Sequence, residues 1–183
     1  MANEQQVLTK AELIEALRAG GQEAVERLSA LPEEKFGEGR YENGWNGRQI
    51  LAHVASIEWT YPRLLDLARQ AATPPPGAAP ANESTAGPAE AKAAPPRPAR
   101  GGIDSYNERQ VEKRADASVA ELLEEFQKNR EATIAAVESA DEALFSRPIL
   151  SAGGISGLLA DVINSIAILH VRGHVSDIVG EGS

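Results

Sequence analysis

The stretch 73–100, TPPPGAAPANESTAGPAEAKAAPPRPAR, restricts the fold more than any other feature of this chain. It holds 8 of the 11 prolines and no large apolar side chain. Such a segment cannot bury enough surface to offset the entropy lost on ordering it, and its prolines favour extended, solvated backbone. It reads as a flexible loop, and the core must come from the two blocks of similar length on either side.

Both blocks carry helix signals. Thr9 followed by Glu12 forms a capping box, and Leu13, Ile14, Leu17, Ala24, Val25, Leu28 and Leu31 recur at helical spacing, with Gly20 and Gly21 weakening the middle. Asn46, with Gln49 three residues on, starts a second helix that carries Ile50, His53, Val54, Ile57, Tyr61, Leu64, Leu65 and Ala68 on one broad face. Pro62 predicts a kink there or a break just before. After the loop, IDSYNERQVEKRAD reads as a shorter helical segment ending near Asp116. Ser118 and Glu121 then open a strongly patterned helix with Leu122, Leu123, Phe126, Ile134 and Val137. The last helix is expected from Gly154–Gly157 to about Gly180, with Leu158, Leu159, Val162, Ile163, Ile166 and Ala167 as its stripe. No segment alternates long enough to predict a strand. The expectation is an all-α four-helix bundle, one domain over 1–183, with the Pro-rich loop crossing between the second and third helices.

Composition excludes several functions. Against 18 basic residues there are 27 acidic ones, a net charge of −9 that disfavours nucleic acid and anionic membrane, because phosphates require Lys and Arg. There is no apolar run of membrane-spanning length, and the first 30 residues lack a basic start leading into an apolar block, so a cytoplasmic location is expected. Cysteine is absent, which removes disulfides, thiolate ligands and a cysteine nucleophile together.

The three histidines carry most of the functional reading. His170 and His174 are four residues apart and share one helix face. Extending the apolar stripe through 159, 163, 166, 170 and 174 turns that face inward. His53 continues the inward set 50, 53, 57 and 64, so all three imidazoles converge on one bundle interior. Neutral imidazole is the commonest transition-metal ligand, and three such nitrogens leave coordination positions open. The same residues are also compatible with a metal-free polar network inside the core.

The runs WNGRQILAHVASIE, IDSYNERQVEKRADASVAELLEEFQKNREATIAAVESADEALFSRP and LHVRGHVSDI, in that order, resemble the DinB-like superfamily, which includes mycothiol-dependent maleylpyruvate isomerase and other thiol-dependent transferases. The resemblance spans nearly the whole chain apart from the Pro-rich loop, which is not a recognised feature of the family. It implies a four-helix bundle with a divalent metal, Zn²⁺ or Ni²⁺, on His53, His170 and His174.

Other residues have two readings each. Glu58 lies roughly 140° around an ideal helix from His53. It is either a general base or an acceptor for a ligand imidazole, or a solvated or salt-bridged carboxylate. Asp104 and Asn107 match a recurrent pair in the family, with Asn107 lining the pocket and Asp104 there or capping the helix. Arg130 reads as an ion-pair partner rather than a substrate clamp, Trp45 as a packing residue, Asp177 as a last-turn polar residue or a partner for His174, and Trp59 as core or, with Tyr61, as surplus apolar surface for a homodimer.

Two functional classes follow. One is a metal-dependent transferase, hydrolase or isomerase that activates water or an external low-molecular-weight thiol (mycothiol, bacillithiol or glutathione) against a small-molecule electrophile. The other is a non-catalytic helical bundle that binds a small ligand or serves as a stress-related module.

Overall fold

Capping boxes set the helix starts. In the computed structural model, which describes residues 8–39, 44–71 and 102–180, Thr9 and Glu12 cap α1 (Lys10–Ser29) reciprocally. Asn46 and Gln49 do the same for α2 (Gly47–Glu58). The expected interruption falls at residues 59–61, and α3 (Pro62–Ala71) begins on the proline itself, where a missing N–H costs nothing. The 73–100 stretch lies outside the described residues. Beyond it, α4 (Gly102–Glu112) gives way to a turn through Asp116. Ser118 then opens α5 (Val119–Ser139) through a third capping box with Glu121.

The last segment departs from the sequence reading. Residues expected to begin the helix instead form β2 (Ser156–Leu158), paired antiparallel with β1 (Pro148–Leu150), with Ile149 opposite Gly157. Strands of three residues are too short to show alternation. Their turn is closed by Ser151, whose N–H donates to the Ile155 carbonyl and whose Oγ accepts from the Ile155 N–H. Gly154 supplies a backbone φ of 82° there, which side-chain-bearing residues rarely adopt. The helix therefore starts later, at α6 (Leu159–Ile163). It passes through a π-helical turn, Asn164–Leu169, and resumes as α7 (His170–Val179) before a left-handed Gly180.

That π turn changes the inward line. A π turn takes up an extra residue relative to an α turn. The buried stripe accordingly runs through Leu159, Ile163, Ala167, Val171, Val175 and Ile178, not through 166, 170 and 174.

The helices make a bundle in which α1 packs on α5 and α7, α2 packs on the same two, and α3 extends α2 along α5. Helix α4 lies against the outer side of this group, on α2. The apolar interior has two clusters. One gathers Leu13, Leu17, Leu65, Val137 and Ile163; the other gathers Leu28, Phe36, Ile50, Phe126 and Val175. Fully burying a side chain such as Leu17 or Leu122 contributes about 1.5–3 kcal/mol. Between the clusters, α5 carries Arg130 and Thr133 after Phe126 and before Val137, and both are buried. No helix among the described residues is long and apolar enough to cross a membrane.

Candidate metal centre

His53 sits in the middle of α2, where Ile50, Leu51, Val54 and Ala55 carry the helix into the core, and it is 6% exposed. His170 and His174 occupy the first turns of α7, beside the buried Val171–Val175 line and nearer the surface than His53. The expectation of wholly inward histidines on the last helix is thereby corrected. The π turn rotates Ala167, Val171 and Val175 to the centre and leaves the two imidazoles at its edge, facing α2.

The three rings meet there. The centroid of His53 lies 5.6 Å from that of His170 and 5.4 Å from that of His174, both nearly perpendicular. His170 and His174 are 4.4 Å apart by centroid, with Nε2 to Nε2 at 3.0 Å. One ligand nitrogen from each ring lies within 4.8 Å of the others. Nitrogens held tetrahedrally by bonds of about 2.0–2.1 Å lie about 3.4 Å apart, so the rings need to close by only a small movement to share one ion. Trp45, just before α2, tilts its ring against His53 at 5.3 Å.

Electrostatics keep the cluster neutral. Burial, reinforced by His174 and His170, lowers His53 to about 3. Burial and His174 lower His170 to about 4 against a hydrogen bond to the Ile166 backbone. Burial also lowers His174, opposed by Asp177. Three uncharged imidazoles are the form a metal requires.

Their lone pairs also call for a cation. Because Nε2 of His170 faces His174, the hydrogen bond to the Ile166 carbonyl falls to Nδ1–H, which leaves a lone pair on Nε2. If His174 Nε2 donates to it, Nδ1 of His174 presents its own lone pair to Asp177 Oδ2 at 3.5 Å. If His174 carries its proton on Nδ1, two bare Nε2 atoms face each other at 3.0 Å. Either tautomer sets like against like, and a divalent ion relieves the second. Nδ1 of His53 is buried without a hydrogen-bond partner. The donor set therefore fits a metal such as Zn²⁺ or Ni²⁺.

The sequence model of the DinB superfamily matches residues 8–176. The chain belongs to the DinB superfamily. Among solved structures, it is similar to the mycothiol-dependent maleylpyruvate isomerase, with a TM-score of 0.65 and 17% identity over 93% of this chain and 61% of that one. A histidine-to-alanine variant of that enzyme matches with a TM-score of 0.60 and 15% identity, over 94% of this chain and 66% of the other. The chain thus spans under two thirds of these structures, and at such identity the likeness is one of fold. No curated protein matches the sequence.

The remaining candidates of this DinB-superfamily chain fall into distinct places. Glu58, the last residue of α2, is fully buried, and its Oε1 pairs with Arg130 Nε at 2.9 Å while Oε2 accepts from Nη2 at 3.0 Å. Burial pushes its carboxyl upward and Arg130 pulls it back. Its placement is that of the salt-bridged carboxylate, and Arg130 is the ion-pair partner anticipated from sequence. Asn107 is half-buried on α4, the helix that packs on α2, and its Oδ1 is buried with no partner. Asp104 lies within the first turn of α4, so it is not the residue preceding the helix. Trp59 is 38% exposed, with the Arg63 guanidinium 4.1 Å over its ring. Tyr61 is not surface: it is 4% exposed, and its hydroxyl donates to the Ile166 carbonyl at 2.8 Å. No sequence signal marked that bond, because it joins residues 105 positions apart.

Proposed function

We propose that this protein is a divalent-metal-dependent enzyme of the DinB superfamily, with His53, His170 and His174 holding Zn²⁺ or Ni²⁺. The convergence of three neutral imidazoles within 4.8 Å carries this reading. An ion held there would lower the pKa of a coordinated water or thiol into the neutral range. His53 supplies its nitrogen from the rigid core of α2, and the α7 pair supplies two more at the solvent side, where a small electrophile enters. With no cysteine in the chain, a thiol has to come from solution. The fold likeness to a mycothiol-dependent enzyme supports a low-molecular-weight thiol as the co-substrate. Asn107, with its unpartnered oxygen, is assigned to the pocket, and Glu58 to holding Arg130 and not to proton transfer. A cytoplasmic location agrees with the supply of such thiols.

The test is elemental analysis of untagged protein prepared without chelator, beside His53→Ala and His170→Ala. About one equivalent in the wild type, lost in both variants, is expected, together with thiol-dependent turnover of a generic electrophile that disappears with the metal. A wild type that takes up no metal from excess Zn²⁺ or Ni²⁺ overturns the proposal in favour of a non-catalytic binding module.

A further inference from the structure

Two consecutive carbonyls of the π-helical turn are held by side chains from elsewhere in the bundle. Tyr61 Oη donates to the Ile166 carbonyl at 2.8 Å, and Arg130 Nη2 donates to the Ala167 carbonyl at 2.7 Å. Both side chains are buried, at 4% exposure each. Tyr61 leads from α2 into α3, and Arg130 is tied through Glu58 to the end of α2, the helix that carries His53. The space for Arg130 is made by Gly21 of α1, where an added Cβ would come within 3.0 Å of Arg130 Cγ.

The same Ile166 carbonyl lies one turn before His170 and favours a proton on that ring. A π turn is rare, and relaxing it to α geometry would move the following residue by about one helical position, roughly 100° of rotation. Such a rotation would carry His170 out of the cluster. Holding the Ile166 carbonyl still also fixes which nitrogen of His170 bears the proton.

On the metal-site reading above, we infer that Tyr61 and Arg130 are positioning residues for His170: by holding the Ile166 and Ala167 carbonyls they fix the π turn and leave His170 Nε2 as the ligand nitrogen. Neither side chain touches substrate or metal. They act through the backbone of the turn.

Tyr61→Phe tests this with the ring packing retained. The His170 tautomer is read by long-range ¹H–¹⁵N NMR on the chelator-treated full chain, and Co²⁺ affinity by titration of its visible absorption. The wild type is expected to show a single Nδ1–H form. Tyr61→Phe should show mixed tautomers and Co²⁺ binding weakened about 10-fold or more. Arg130→Lys, which keeps a charge beside Glu58 but loses the planar fork, should move both readouts the same way. Val137→Ala, on α5 in the same apolar cluster as Tyr61 and Ala167 but without a bond to the turn, should lose stability while leaving both readouts unchanged. An unaltered tautomer and unaltered Co²⁺ affinity in Tyr61→Phe would overturn the inference. A wild type that binds no Co²⁺ overturns the metal reading instead. The NMR arm then still decides the role of Tyr61, mixed tautomers upholding it and a single Nδ1–H form overturning it.

Discussion

His53 should make the metal-free protein acid-sensitive by an amount that can be worked out in advance. Burial first, and then His174 and His170, lower its pKa from 6.5 to about 3 in the folded chain. The folded value is below the unfolded one, so between those values the unfolded chain binds more protons. Stability is therefore complete above about 6.5 and is lost as pH falls towards 3. At pH 5 the native imidazole is still neutral while the unfolded one is almost fully protonated, and the difference from pH 7 comes to about 2 kcal/mol. The figure barely changes if the folded value lies a unit to either side, because at pH 5 only the unfolded chain has titrated. Urea denaturation of chelator-treated wild type and His53→Gln at pH 7 and pH 5 isolates the effect, since the other titrating groups are common to both. The wild type should lose about 2 kcal/mol more than the variant across that interval. Equal losses would refute the reasoning, and with it the view that His53 is held neutral by burial.

Arg130→Met leaves the fully buried Glu58 carboxylate without its partner and should cost about 3–5 kcal/mol by chemical denaturation. Adding Glu58→Leu should recover part of that loss, and a double variant no more stable than the single one would argue against the ion pair as the cause. Ser118→Ala removes the cap that accepts from the Glu121 N–H and should cost about 1 kcal/mol, read as a lowered Tm with unchanged metal content. Asn107→Ala should keep the metal but reduce turnover; undiminished turnover would remove Asn107 from the pocket.

Much of the fold was legible in local sequence because its signals act over one helical turn. The capping pairs at 9 and 12, 46 and 49, and 118 and 121 each satisfy backbone donors within three residues, so residue type alone marks the helix start. Pro62 likewise announced the break between α2 and α3 through its own missing N–H. The roughly 140° offset of Glu58 from His53 on an ideal helix already set the two apart. The hairpin at 148–158 escaped because its strands are three residues each and its turn depends on the Ser151–Ile155 bonds. Tyr61 carried two expectations, the apolar face of the second helix and a dimer surface, because an aromatic beside a helix break looks the same in sequence whether another helix covers it or not.

Sequence by itself determined a mostly helical chain, its division around the 73–100 stretch, the absence of thiol chemistry from its own residues, and the three histidines as the set to examine. Spacing of four on one helix guarantees that His170 and His174 share a face, whatever the rest of the chain does. Only the tertiary structure decided where that face points. The π turn shifts the helix after Ile163, and its Ile166 and Ala167 carbonyls are held by Tyr61 and Arg130, 105 and 37 residues away. No local pattern encodes a bond of that span. The position of His170 beside His53 is therefore a property of helices packed together, which no single helix possesses.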